Sequence, residues 1–296
     1  MLPMEFHFVF LPCIIFIATI LGLFGNFSLI YAVVRYKNIR TKHGILLAFL
    51  CLYESFGLIY ESISGIRMIT NTSMMPRSKC FRTISPYIFT ITVQAMMMIA
   101  LAVDVLISLT APITHKLMKP SAYLILMHIP CVAVSLYFIV GGMVHMNDEI
   151  IIACNPPLAL PAMESEIWNY TTMATNAVVV FVYALVVLWL FREYKSSSLH
   201  GTKSQPKHYK RVLRSAATVN AISVICWFMG AGISRFPFNV DAHTQELIHT
   251  YAVIPPLIIM SQNYYVYFLL STDYRFVFRQ MLGLEARKVM TFSRSH

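Results

Sequence analysis

Residues 8–34 read FVFLPCIIFIATILGLFGNFSLIYAVV, twenty-seven positions without a charge. A helix crosses the roughly 30 Å hydrocarbon core of a bilayer in about 20 residues, so this run is long enough to span it. No Lys or Arg precedes it, which separates it from a cleaved secretory leader, and it reads as a retained first span. Working outward, six further apolar stretches of similar length can be marked at 44–66, 84–110, 121–143, 168–191, 212–234 and 247–270. Seven such runs with short polar connectors leave nothing amphipathic to build a watery exterior. The expected fold class is therefore an all-α membrane protein, a seven-transmembrane helix bundle, with residues 1–296 forming one domain.

Composition agrees. Of 296 residues, 57% are hydrophobic and 12% charged, against roughly 25% charged in an ordinary soluble domain. The formal charge is +10, but its distribution argues for a membrane rather than nucleic acid. Eighteen of the 23 Lys and Arg fall in the connectors on one side (35–43, 113–120, 192–214 and 275 onward), and five on the other. Basic loops are retained in the cytoplasm, so the amino terminus is expected outside and the basic face toward the anionic inner leaflet. Past the last span, Tyr274, Phe278, Met281 and Leu282 recur at helical spacing, which predicts a short amphipathic helix over 273–283 along the membrane face. A frayed tail is the alternative, and 284–296 is expected as a cytosolic tail.

Cys80 opens the third span and Cys154 lies in the longest connector, both on the expected external side. An oxidising compartment favours a disulfide between them, which would hold that connector as a lid; two free thiols are the other reading. Asn-x-Ser/Thr occurs at Asn26, Asn71 and Asn169; Asn26 is inside a span, and Asn71 is the best glycan candidate. No phosphate-binding Gly-rich loop, His-Glu-x-x-His or paired Cys-x-x-Cys is present. No enzyme activity, cofactor or metal is expected.

Two acids interrupt the second span. Glu54 and Glu61 are seven positions apart and so share a helix face, each costing about 2.5 to 3.5 kcal/mol if ionised at the bilayer centre. The eleven Leu, Ile and Phe between Ile45 and Ile66 offset this, at roughly 0.3 to 0.6 kcal/mol each. Both carboxyls must face inward. Glu54 is either a neutral acid hydrogen-bonded to a neighbour or part of an ion site. Glu61, nearer the outer rim, either meets a ligand or pairs with Arg67.

Read together, these residues resemble the rhodopsin-like class of G-protein-coupled receptors. Gly25-Asn26 is similar to the Gly-Asn of that family's first span, and Leu47-Ala48 followed by Glu54 to its Leu-Ala-x-x-x-Asp. Cys80 stands twenty-five residues before Val105, the family's interval between disulfide Cys and the Arg of Asp-Arg-Tyr; here the triplet is Asp104-Val105-Leu106, followed by Pro112. Cys226-Trp227-Phe228-Met229 resembles Cys-Trp-x-Pro, Asn263 to Tyr267 resembles Asn-Pro-x-x-Tyr, and Tyr274-Arg275 with Phe278 resembles the family's tail helix. More narrowly, Ile39-Arg40-Thr41-Lys42-His43, the run from Cys80 to Tyr87 and the Tyr-Arg-x-x-Phe tail resemble nematode serpentine chemoreceptors of the Srsx type.

The resemblance implies a receptor in the plasma membrane, with a sensory cilium as its expected location, that binds a small environmental chemical and signals to a heterotrimeric G protein. Its pocket is expected among the outer ends of the spans, lined by Glu61, Tyr87, Thr90, Trp227, His249 and Tyr251, although Trp227 and Tyr251 would equally serve as packing. Tyr87 stands where amine receptors carry an acid, which argues against a biogenic amine. Below, Asn26, Glu54, Gln94 and Asn263, with Tyr267, form an expected polar core that is either a switch or hydrogen-bonding glue. Asp104, Val105, Leu106, Lys116, Lys210 and Arg211 mark the expected G-protein face. Val105 replaces the family's Arg, and no acid lies between Tyr194 and Trp227 to pair with one. Asp104 is then expected to be neutralised by Lys116, Lys119 or cations of the third cytosolic loop. Without Pro at Met229 and Tyr264, two kinks are expected to be lost. A receptor-shaped scaffold that does not signal, or a small transporter or channel using Glu54 and Glu61, remain the competing functions. Oligomeric state is left open.

Overall fold

The computed structural model describes residues 4–151, 154–199, 207–235 and 251–284. Five helices have the length and apolar character to cross a membrane: Val9–Arg35, Lys42–Ile69, Arg77–Thr110, Pro120–Val144 and Ala162–Arg192. The sixth span is the helix Lys207–Arg235, whose apolar part, Ser215–Gly230, is shorter. The seventh comprises Ile254–Ser261 and Asn263–Leu270, interrupted at Gln262. A final helix, Thr272–Met281, follows immediately.

Each span shows why it forms and which way it faces. The second helix starts where the Thr41 hydroxyl accepts a hydrogen bond from the Gly44 amide at 3.0 Å. Its Leu47, Leu50, Glu54, Leu58 and Glu61 are buried, recurring every three or four residues, while Phe49, Phe56, Ile59 and Ile63 point outward. Outward-facing Ile17, Ile20, Phe24 and Phe27 on the first helix, and Ile125, Ile129 and Val140 on the fourth, are the surface a bilayer requires. The backbone groups of these helices are satisfied internally, the condition for crossing lipid.

The first, second and seventh spans approach closely through small residues. A Cβ at Gly22 would sit 2.5 Å from Leu58 Cδ1 and 3.0 Å from Ser261 Cβ, and one at Gly25 would sit 2.8 Å from Tyr264 Cβ. Small side chains at such contacts let helices pack where no hydrophobic force drives them together. Across the same interface Thr19 donates to the Leu58 carbonyl at 3.2 Å and receives a hydrogen bond from Ser62 at 2.9 Å. The third helix carries the longest buried face and lies between the second, fourth and fifth.

One end of the bundle bears the disulfide Cys80–Cys154. Beside it Met75–Pro76 pairs antiparallel with Ile150–Ile151, and the short helix Pro156–Ala159 is capped by Asn155. Arg77 pins this connector, donating to the Leu158 carbonyl at 3.1 Å and to Asn147 at 2.7 Å and pairing with Glu149 at 2.8 Å. The opposite end carries the helices Pro112–Leu117 and Thr272–Met281. The latter is docked by Tyr274, Val277 and Phe278: the Tyr264 and Phe278 rings lie 4.4 Å apart, those of Tyr267 and Tyr274 4.8 Å. These are the disulfide end and the tail end below.

At the two positions where the resemblance would place proline, the sixth and seventh spans differ in continuity. The sixth helix runs uninterrupted through Met229. The seventh is interrupted at Gln262 although Tyr264 stands where proline was expected. There the Gln262 amide donates to Ser223 Oγ at 2.8 Å and to the Val219 carbonyl at 3.3 Å, so the interruption is tied to the sixth span by hydrogen bonds.

Candidate functional site

Three polar stations lie along the bundle. At the disulfide end, the Tyr87 hydroxyl of the third span donates to Glu61 Oε1 of the second. Glu61 is 7% exposed and Tyr87 2%. The Tyr60 ring stacks parallel to that of Tyr87, 5.6 Å away. Thr90 turns back to bond the Tyr87 carbonyl, so its hydroxyl is spent within its own helix. Trp168 Nε1 donates to Thr92 Oγ1 at 2.9 Å, joining the fifth span to the third. Trp227 and Tyr251 pack against the apolar cluster that contains Tyr87 and Trp168. Tyr251 hydrogen-bonds His7 Nδ1 at 2.9 Å, closing the first span onto the seventh. His249 lies outside the described residues. The salt bridge of Glu61 with Arg67 is not formed: Arg67 Nη1 is buried without a hydrogen-bonding partner among the described residues.

At mid-bundle, Asn263 Nδ2 donates to Glu54 Oε2 at 2.6 Å and approaches Cys51 Sγ at 3.8 Å. Of the four residues expected together here, these two touch. Asn26 instead donates to the Met260 carbonyl at 3.0 Å. Gln94 is 1% exposed, and its amide finds no hydrogen-bond partner among the described residues. Tyr267, expected with this group, belongs to the next.

At the tail end, Asp104 is 1% exposed and accepts three hydrogen bonds: from His43 at 3.0 Å, His115 at 2.9 Å and the Tyr123 hydroxyl at 2.8 Å. His43 Nε2 in turn bonds the Tyr267 hydroxyl at 3.0 Å. A neutral His43 with its proton on Nδ1 satisfies both contacts, donating to the carboxylate and accepting from the phenol. Lys42 bonds the His115 carbonyl and stands 5.0 Å from the Tyr123 ring centroid. The second, third and fourth spans and the Pro112–Leu117 helix thus meet at one carboxylate, and the seventh span joins them through His43. Among the described residues the side chains that meet the Asp104 carboxylate are His43, His115 and Tyr123 rather than Lys116 or Lys119, and the third-loop cations lie outside the described side chains. Lys116 and Lys119 are exposed. The sequence signal for His43 was present in the run Ile39 to His43, but a histidine beside a basic connector gives no hint of a carboxylate sixty-one residues away.

Val105, 5% exposed, joins Leu109, Val186 and Ala216 in a small apolar cluster of the third, fifth and sixth spans, with Leu106 packed against it. Hydrophobic contact thus occupies the position where an arginine was expected by resemblance. Lys210 and Arg211 lie on the helix Lys207–Arg235, and their side chains are outside those described. Asn71 is exposed at φ 54° just past the second helix, Asn169 is half-buried within the fifth, and Asn26 is fully buried.

Residues 19–282 match the family model of the serpentine type 7TM GPCR chemoreceptor Srsx. The chain belongs to this family. It is accordingly a multi-pass membrane protein of a seven-span chemoreceptor fold, and its family is a receptor class rather than an enzyme class. No curated protein matches the chain.

Proposed function

We propose that this Srsx-family protein is a G-protein-coupled chemosensory receptor of the plasma membrane, with its amino terminus and disulfide end outside and its tail end toward the cytosolic G protein. The supporting observation is that the seventh span reaches both lower polar stations, through Asn263 on Glu54 and through Tyr267 on His43, which in turn bonds Asp104, and is interrupted at Gln262 just above them. An element packed in two halves can take two arrangements, and a ligand that binds one arrangement better shifts the population toward it. Glu61, Tyr87, Trp227 and Tyr251 are the groups assigned to the ligand, with Thr90 behind Tyr87.

The tail end offers the landing face. Ile113 is 75% and Leu117 78% exposed on the short helix after the third span, beside Lys116 and Lys119. Apolar side chains of this size, held in water among cations, fit an amphipathic partner surface better than bulk solvent. With Val105 buried, coupling rests on the shape and charge of this rim together with Lys210 and Arg211. Glycosylation at Asn71 follows from the same orientation, and a sensory cilium is the location the family reading implies.

The test is a ligand-dependent cAMP, cGMP or calcium response in transfected cells, read with a panel of chimeric G proteins against volatile and water-soluble compounds. A response lost on removing the G protein supports the proposal. Silence throughout, with surface expression established, replaces it with a receptor-like scaffold.

A further inference from the structure

Four acids are buried among the described residues: Glu54, Glu61, Asp104 and Glu164. Asp104 and Glu164 are met by histidine, the first by His43 and His115 and the second by His145. Glu54 and Glu61 form no ion pair among the described residues, and they differ in what lies above them. Gly57 sits between the two on the same helix. A Cβ there would lie 2.7 Å from Met260 Sδ and 3.5 Å from Tyr87 Cε2, so the second, third and seventh spans are in van der Waals contact at that level. Glu54 is on the tail side of this contact, where the Asn263 amide donates to it. Glu61 is four residues to the other side, about 6 Å nearer the disulfide end.

Around Glu61 the surroundings are aromatic. Tyr87 bonds its carboxyl, Tyr60 stacks on Tyr87, and Trp168, Trp227 and Tyr251 belong to or pack on the cluster that includes Tyr87. A buried carboxylate needs a positive charge or several donors to offset its desolvation, and one phenol supplies neither in full. Aromatic faces attract an organic cation more strongly than a neutral solute of the same shape, by the added pull of the ring quadrupole. An anion would meet the acid directly.

We propose that the ligand of this receptor is a small organic cation, an ammonium carried on a compact apolar body, whose charge is met by the Glu61 carboxylate within this aromatic cluster. This rests on the receptor reading above. It also reverses the sequence expectation against amines. That expectation considered Tyr87 alone, and the fold brings a carboxyl from the neighbouring helix to the tip of its side chain.

The experiment uses the full chain in lipid nanodiscs and in transfected cells, with matched probes that differ in one group: small amines of aliphatic and aromatic skeleton, and the alcohol and carboxylate of each skeleton. Binding is read by thermal shift and signalling by second messenger. At least one amine is expected to bind and signal, with its alcohol at least tenfold weaker and its carboxylate inactive. Glu61→Gln is expected to abolish the tenfold preference while the protein still reaches the surface, and Glu61→Asp to retain part of it. Amine binding unchanged in Glu61→Gln overturns the assignment to this residue. Binding of alcohols or carboxylates without amines overturns the ligand class and leaves the receptor reading standing. No response to any skeleton in either readout, with wild-type surface expression normal, removes both.

Discussion

Asp104 and Glu61 are buried acids near opposite ends of the bundle, and they are held in opposite ways. The seventeen residues from Tyr87 to Asp104 put about 25 Å of helix between the two sites. Asp104 accepts from two histidines and a tyrosine, contributed by three different parts of the chain. Among the described residues Glu61 accepts from a single tyrosine on the adjacent helix. A saturated carboxylate anchors the elements that reach it, so the tail end is fastened through Asp104. A carboxylate with one hydroxyl partner fastens little and keeps capacity for another donor. The difference separates a structural latch from a recognition group among residues of the same chemical type.

The largest effect is expected from Asp104→Ala. It leaves the Nδ1 proton of His43, His115 Nε2 and the Tyr123 hydroxyl facing one another without an acceptor, and breaking a buried pair on one side costs about 3 to 5 kcal/mol. Surface expression should fall sharply and detergent-solubilised protein should melt well below wild type. Asp104→Asn keeps acceptor capacity on one atom and should recover part of the loss. Wild-type melting in Asp104→Ala would dissolve the contrast between the two ends.

His43→Ala comes next. It removes one donor from Asp104 and, among the described residues, the one hydrogen bond of the Tyr267 hydroxyl. Two buried hydrogen bonds, one of them to a charged group, amount to about 2 to 4 kcal/mol. Since His43 ties the seventh span to the third, basal second-messenger output should rise while melting temperature falls. Tyr267→Phe cuts the outer link alone and should cost about 1 kcal/mol, with a smaller rise in basal output. The double variant should fall short of the sum, because both changes remove the same bond. Full additivity would mean that His43 and Tyr267 act separately.

Much of this architecture was legible in the sequence, because lipid imposes a length and an apolarity that composition records directly. The first five spans are of that kind. The sixth was harder: Asn220 and Ser223 interrupt its apolar pattern, and they do so to serve Tyr183 and Gln262. The apolar run 247–270 reads as one helix with Tyr264 in place of a kinking proline, yet the break at Gln262 coincides with side-chain bonds to another helix, which no local signal encodes. At the site, the acids themselves were visible as charges in the wrong place, whereas their partners were not. Arg67 was the near neighbour of Glu61 in sequence, and Tyr87, twenty-six residues away, is the one it meets. Lys116 and Lys119 were the near cations for Asp104, and long solvated side chains lost to shorter imidazoles already held within the bundle. Charge reads well from sequence when it violates an environment, and pairing reads poorly because it depends on which helix faces which.

The smallest effect on stability is expected where the proposed effect on recognition is greatest. Glu61→Gln keeps an acceptor oxygen for the Tyr87 hydroxyl and removes a charge that no described Lys, Arg or His balances. Replacing an uncompensated buried charge by a neutral isostere is close to neutral or stabilising, so the melting temperature should stay level or rise by an amount worth under about 1 kcal/mol. Tyr87→Phe leaves the carboxyl without its donor and should therefore be the more damaging of the two, by about 1 to 3 kcal/mol. That order is the reverse of the tail end, where loss of the acid outweighs loss of any single donor. Melting curves of the four variants Asp104→Ala, His43→Ala, Tyr87→Phe and Glu61→Gln in one detergent decide it. If Glu61→Gln unfolds as readily as Asp104→Ala, then Glu61 is a second anchor and the disulfide end holds no spare carboxylate for a ligand to use.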